Sequence, residues 1–298
     1  MIHDVIVIGG SYAGMAASLQ LLRARRSVLV IDAGQRRNRY ASHAHGFLGQ
    51  DGVDPAVIAS TARRQLEAYP TLTWLKSEAT GITGKQDTFV VTSADGQSHR
   101  GRRVLFATGV TDQLPKIAGL AERWGQSVFH CPYCHGYELD QGRIGIIATG
   151  PMSVHQAELL AEWGKATLLT NGALTLEPAA REELERKGIT VEDTSIRAIA
   201  GDADVHLTDD RVLSFAGLFV ATTIAPSSSL PSDLGCEIKE NPMGRIIAVN
   251  ESKQTTVPGV FACGDVAFVP GAVSFAVSDG ALAGIQLHRS LVWPETMS

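Results

Sequence analysis

Cysteine is scarce in this chain. Four among 298 residues are far too few for a disulfide-stapled scaffold. Charged residues reach only 19% against 44% hydrophobic, a balance that excludes intrinsic disorder. A cationic excess is missing as well. Lys plus Arg is 26 against 31 Asp plus Glu, a net charge of -5, which excludes a dedicated nucleic-acid surface. No apolar run is long enough to cross a bilayer: the stretch from Val5 to Leu22 is broken by Gly9, Gly10 and Gly14 and stops at Arg23. No basic segment precedes it, so the expectation is a cytoplasmic soluble protein without a membrane partner. Short-period repeats and low-complexity tracts are absent. Glycine, by contrast, is plentiful: 30 residues, clustered at a few turns.

The first forty residues read strand, turn, helix, strand. Val5 to Ile8 and Val28 to Ile31 are continuous apolar runs, as parallel strands buried on both faces require. Gly9 to Gly14 is the turn, and Met15 to Arg25 has helical composition. A similar unit recurs about 140 residues on. Arg143 to Ile147 is its first strand, Ala148 to Ser153 its turn, Val154 to Trp163 its helix and Ala166 to Leu169 its second strand. The fold class is therefore α/β, with two doubly wound, dinucleotide-binding-type (Rossmann-like) domains. The polar segment Thr111 to Pro115 and the Pro/Ser-rich run Ala225 to Pro231 read as the linkers between them, and a last helix is expected near Ser274 to Leu291.

Gly9-Gly10-Ser11-Tyr12-Ala13-Gly14 follows a strand, opens a helix and is followed by Asp32, 18 positions after Gly14. This is the dinucleotide fingerprint in its required context. Gly9 allows the tight turn, Gly14 lets helix and strand approach, and the helix start offers free N–H groups to a pyrophosphate. Asp32 is placed to accept from the adenosine ribose. Ser11 departs from the pattern, which prefers glycine there. Two further boxes favour FAD: Ala107-Thr108-Gly109 at a strand end, and Thr255 to Asp265, an apolar strand presenting Gly264-Asp265, whose aspartate suits a ribitol hydroxyl.

The second turn, Ala148-Thr149-Gly150-Pro151-Met152-Ser153, is altered. Ala148 replaces the first glycine, and Pro151 removes an N–H where a pyrophosphate would bind. The next strand ends in Leu169-Thr170-Asn171-Gly172, with no arginine for a 2′-phosphate and no acid for a ribose. The domain reads as a scaffold that has lost its nucleotide, the competing reading being an atypical NAD(P)H site.

Cys131-Pro132-Tyr133-Cys134-His135 admits several readings. Haem attachment needs export, and a zinc site needs more ligands than the isolated Cys236 and Cys263 supply, so no metal is expected. A buried structural pair and a redox dithiol remain. In the latter one thiolate attacks and the other resolves the mixed disulfide. His135 would then stabilise the thiolate or shuttle its proton, an unperturbed imidazole titrating near pH ~6.5, in the range where the rate would vary.

With these motifs the chain resembles the low-molecular-weight thioredoxin reductase family along nearly its whole length, through Gly9 to Gly14, Ala107 to Gly109, Cys131 to Glu138 and Val257 to Asp265. Cys131-Pro132-Tyr133-Cys134-His135-Gly136-Tyr137-Glu138 is most similar to the branch of FAD-dependent dithiol oxidases of the gliotoxin and holomycin type. The resemblance implies an FAD domain split into 1–112 and 228–298, around an inserted domain at 113–227 that carries the redox pair. It implies Cys131, Cys134 and His135 as catalytic residues, Cys134 facing the flavin and Cys131 exchanging with substrate. For the cofactor it implies Gly9, Ser11, Tyr12, Ala13, Gly14, Asp32, Asn38, His45, Ala79, Thr108, Gly109, Gly264, Asp265, Ala272 and Val273. It also implies a homodimer and a thiol or disulfide substrate, either a small molecule or a thioredoxin-like protein. Gly271 stands where the family usually has arginine. The expected activity is thiol–disulfide exchange between substrate, the cysteine pair and FAD without NADPH, with dioxygen or a protein as the other electron partner. The alternatives are an NAD(P)H-dependent thioredoxin reductase and a ferredoxin-linked or sensory flavoprotein.

Overall fold

The computed structural model describes residues 1–294. The chain divides into two compact units. One comprises Met1–Arg39, Phe47–Asp112 and Ile224–Ser298, and the other Tyr40–Gly46 and Gln113–Thr223. Residues 295–298, the end of the expected 228–298 segment, lie outside the described residues. The insertion expected over 113–227 closes four residues earlier, after Thr223, and the second unit also takes in Tyr40–Gly46.

In the first unit the sheet runs Leu72–Lys76, Val28–Asp32, Ile2–Ile8, Ser98–Phe106, Phe89–Ser93, Ala79–Thr83, with Val260–Ala262 also paired to Ser98–Phe106. The strands around Ile2–Ile8 are parallel; Ala79–Thr83 and Phe89–Ser93 form an antiparallel edge. Val5, Ile6, Val7, Val28 and Val30 are fully buried, as their unbroken apolar runs require. The register sets Ile8 opposite both Ile31 and Phe106, and Phe106 opposite Ala262. Gly9, Asp32, Ala107 and Cys263, each next in chain or at a strand end, therefore emerge together at the carboxyl ends of the parallel strands. Open α/β sheets bind ligands there.

Helix Tyr12–Arg23 follows the first glycine turn and buries Met15, Ala17, Leu21 and Leu22. It packs against the last helix, Val273–Val292, through small residues: Cβ atoms added at Gly280 or Gly284 would run into the backbones of Ala13 and Ala17. In the second unit five parallel strands run Thr190–Glu192, Lys165–Leu169, Arg143–Ile147, Gly217–Val220, Val128–Phe129, beside a three-stranded antiparallel sheet. The segments expected as linkers are in part strands: Val110–Gln113 and Thr223–Pro226 belong to one four-stranded sheet. Paired backbone satisfies the N–H and C=O groups that an irregular linker would leave to water.

Candidate active site

The first glycine turn is held from both sides. Gly9 adopts φ +103, and a Cβ there would lie 2.7 Å from the Ala107 carbonyl carbon. Only glycine meets both conditions. Asp32 Oδ1 accepts a hydrogen bond from the Gly10 N–H at 3.0 Å, and Trp74 lies directly against Gly10. Ser11 heads the helix without a side-chain capping bond. Around this turn several polar atoms are buried without a protein partner: Thr108 Oγ1, Trp74 Nε1 and Asn38 Oδ1. The Asn38 amide donates to the Tyr12 hydroxyl at 3.2 Å, and that hydroxyl donates to the Pro55 carbonyl. A folded chain rarely leaves such groups unpaired, so these point to a polar ligand.

The second box sits at the same strand ends. Gly264 has φ +73, its N–H donates to buried Asp279 at 2.9 Å, and Asp279 also pairs with buried Lys253. Asp265 receives the Arg37 guanidinium at 2.9 Å. Ala272 caps the last helix and Val273 begins it. Gly109 has φ +69, and Ala79 opens the edge strand with its side chain in the core.

In the second unit Cys131 and Cys134 form a disulfide, with Cα atoms 5.4 Å apart. Cys131 caps a single helical turn, Pro132–His135; proline suits its first position, where no N–H is needed. Tyr133 and Tyr137 are exposed beside the pair. The His135 ring stacks on Phe129, with centroids 4.1 Å apart, and its Nδ1 is buried without a partner. Burial, and then the neighbouring His45, push its pKa down to about 4. His135 is therefore neutral near pH 7. It does not titrate in the neutral range expected of an unperturbed imidazole. His45 belongs to this unit. Its Nδ1 lies 3.4 Å from Glu138 Oε1, which places it beside the cysteine motif.

The second glycine turn uses several of its own donors. The Thr149 N–H donates to the buried Ser153 hydroxyl at 3.0 Å, Pro151 has no N–H, and those of Ser153 and Val154 bond back to Gly150 and Pro151. At the end of the next strand the Thr170 hydroxyl donates to Asp193, which also takes Arg181, while Asn171 Oδ1 accepts from the Ile196 N–H. An arginine does stand near this strand end, but a carboxylate neutralises it.

The family model of pyridine nucleotide-disulphide oxidoreductases matches residues 3–280. The chain belongs to that family. It is similar to the oxidoreductase from Agrobacterium tumefaciens, whose crystal structure is 52% identical with a TM-score of 0.97, over 99% of this chain and 100% of that one. The crystal structure of HlmI is 34% identical with a TM-score of 0.90, over 99% and 94%. Thioredoxin reductase tcpT of Claviceps purpurea is 32% identical over 98% of this chain and 95% of its own. The resemblance and fold class read from the sequence both hold. The chain is a thioredoxin reductase-like flavin disulfide oxidoreductase, and FAD is its cofactor.

The first unit fits that cofactor. A glycine turn at a helix start, an acid at the end of the second strand and unpartnered polar atoms form one cluster. Trp74, Arg37, Asp279 and Lys253 complete the surroundings of the two boxes. Sequence reasoning missed all four, because each reaches the site from a segment without a motif of its own. Among the described residues no group of His, Cys, Asp or Glu is arranged for a metal, and no helix is long and apolar enough to cross a membrane.

Proposed function

We propose that this enzyme oxidises a dithiol to a disulfide through Cys131 and Cys134 and does not use NADPH. The observation that carries this reading is the altered turn Ala148–Ser153: Pro151 has no N–H, and the Thr149 N–H is already taken by the Ser153 hydroxyl. The relatives named thioredoxin reductase support thiol–disulfide chemistry.

In this reading a substrate thiolate attacks Cys131 Sγ. The S–S bond breaks and Cys134 leaves as thiolate. The second substrate thiol attacks the substrate sulfur of the mixed disulfide and expels Cys131, so the product disulfide departs and the pair holds two electrons. The thiol protons pass to a base; His135, neutral near pH 7 and next to Cys134 in the chain, is the proposed acceptor, although burial weakens its basicity. Bound FAD supplies a two-electron acceptor for the reduced pair, with dioxygen or a protein as the final acceptor. Dithiol-dependent oxygen consumption by the purified protein tests the reading; NADPH-driven reduction of a disulfide in its place would replace it with the reductase reading.

His135→Ala is expected to slow turnover by roughly 10²-fold or more. The pH dependence has a defined sign. The neutral ring is the base, so protonation as pH falls through about 4 removes its contribution. The ratio of wild-type to His135→Ala rates should stay constant across neutral pH and narrow only towards that value. A ratio that changes between pH ~6 and ~8 would contradict the assignment.

The protein is also proposed to be a cytoplasmic homodimer. Phe275, Leu282, Ile285 and Val292 are exposed apolar residues on one stripe of the last helix. Replacing Leu282 and Ile285 together by glutamate should yield a monomer in sedimentation; an unchanged mass for both proteins would remove this stripe from the interface.

A further inference from the structure

Arg37 lies in the irregular segment after the second strand, far in sequence from anything it touches. Its guanidinium is forked. Nε and Nη2 donate to the two oxygens of Asp112, at 2.8 and 2.6 Å, while Nη1 donates to Asp265 Oδ2 at 2.9 Å. Asp112 is almost fully buried; Arg37 and Asp265 keep about a fifth of their side-chain surface. Gly271 bounds the space on another side. A Cβ there would come 2.7 Å from Asp265 Oδ2 and 2.8 Å from Arg37 Nη1. A side chain at 271 would therefore press on the contact between arginine and aspartate and shift one or both groups.

The charges facing Asp265 explain why the contact matters. Burial, the largest effect, and the nearby Asp112 and Asp279 raise its pKa above the ordinary carboxylate value, and Arg37 opposes them. Lys253 is committed to Asp279. Among the described residues Arg37 is the cation that pairs with Asp265. It takes Oδ2 and leaves Oδ1 for a hydroxyl. An ionised, oriented carboxylate is a stronger acceptor than a protonated one that is free to rotate.

We propose that Arg37 is a positioning residue for the cofactor: held by Asp112 and given room by Gly271, it fixes the Asp265 carboxylate and aims its free oxygen at a hydroxyl of the flavin side chain. The proposal rests on reading Gly264-Asp265 as the turn that receives that hydroxyl. Lysine at 37 would carry the charge but not the fork, so it should restore part of the effect.

The test is the dissociation constant for FAD, measured on purified holoprotein from the fluorescence of released flavin after dilution and ultrafiltration. Arg37→Met should raise it about tenfold or more, the loss expected for one charge-assisted hydrogen bond, with Arg37→Lys in between. Gly271→Ala keeps every charge and should weaken binding in the same direction, so it carries the test where Arg37→Met does not fold. A second readout separates positioning from a structural role. As pH falls from ~8 to ~6 the constant should rise more steeply in Arg37→Met than in the wild type, because Asp265 without Arg37 takes up its proton at higher pH. Wild-type affinity and an unchanged pH profile in folded Arg37→Met and Gly271→Ala would overturn the proposal. If Asp265→Ala binds FAD as wild type does, the underlying reading of the turn fails, and the proposal with it.

Discussion

Serine in place of either Cys131 or Cys134 is expected to abolish dithiol turnover, by more than about 10³-fold, while leaving FAD bound. Exchange needs an attacking and a resolving sulfur, and neither serine oxygen can form the mixed disulfide. The chain offers no substitute: Cys236 and Cys263 are both buried, and burial pushes the Cys236 thiol up. The variants should fold, because the disulfide closes a loop of sequence separation 3, where the entropic stabilisation of a cross-link is smallest. Flavin content should be unchanged, since both glycine boxes belong to the other unit. Dithiol consumption and bound flavin, measured on the same samples, check both halves. More than a tenth of wild-type rate in either variant would contradict the proposed exchange.

The second large expected effect is the failure of NADPH. Three features act together. Ala148 is fully enclosed where the tight turn wants glycine. Pro151 and the bond from Thr149 to Ser153 each remove a donor from the helix start, and a lost charge-assisted hydrogen bond is worth roughly 1.5–3 kcal/mol. Asp193 holds Arg181 at 2.5 Å, so a 2′-phosphate would have to displace a carboxylate to reach it. A net loss of about 4 kcal/mol weakens binding roughly a thousandfold, from micromolar to millimolar. Equilibrium dialysis of NADPH against the oxidised protein checks this; micromolar binding would contradict it.

What the sequence revealed, and what it hid, follows from distance along the chain. The first glycine turn was legible because strand, turn, helix and Asp32 are consecutive and each residue type has a local reason. The Cys131–Cys134 motif was legible for the same reason. The environment of His135 was not: its stacking on Phe129 and its proximity to His45 depend on tertiary placement, and they move its pKa out of the neutral range. His45 itself sits in a loop without regular structure, and nothing near it in sequence assigns it to the cysteine motif. Arg37 meets residues 75 and 228 positions away, beyond the reach of any spacing rule. The Ala148–Ser153 turn lies between these cases. Its substitutions were visible, but that the Ser153 hydroxyl folds back onto Thr149 is a matter of geometry.

Anaerobic rapid mixing of the oxidised holoprotein with dithiothreitol and, separately, with about 0.2 mM NADPH, a concentration within the ordinary range of KM values, while the oxidised-flavin absorbance is followed, is the most direct test of NADPH-independent dithiol oxidation. Bleaching by the dithiol, its loss in Cys131→Ser and an unchanged spectrum with NADPH are the predicted results. Complete bleaching by NADPH within a second would contradict the account and make the enzyme an NADPH-dependent reductase.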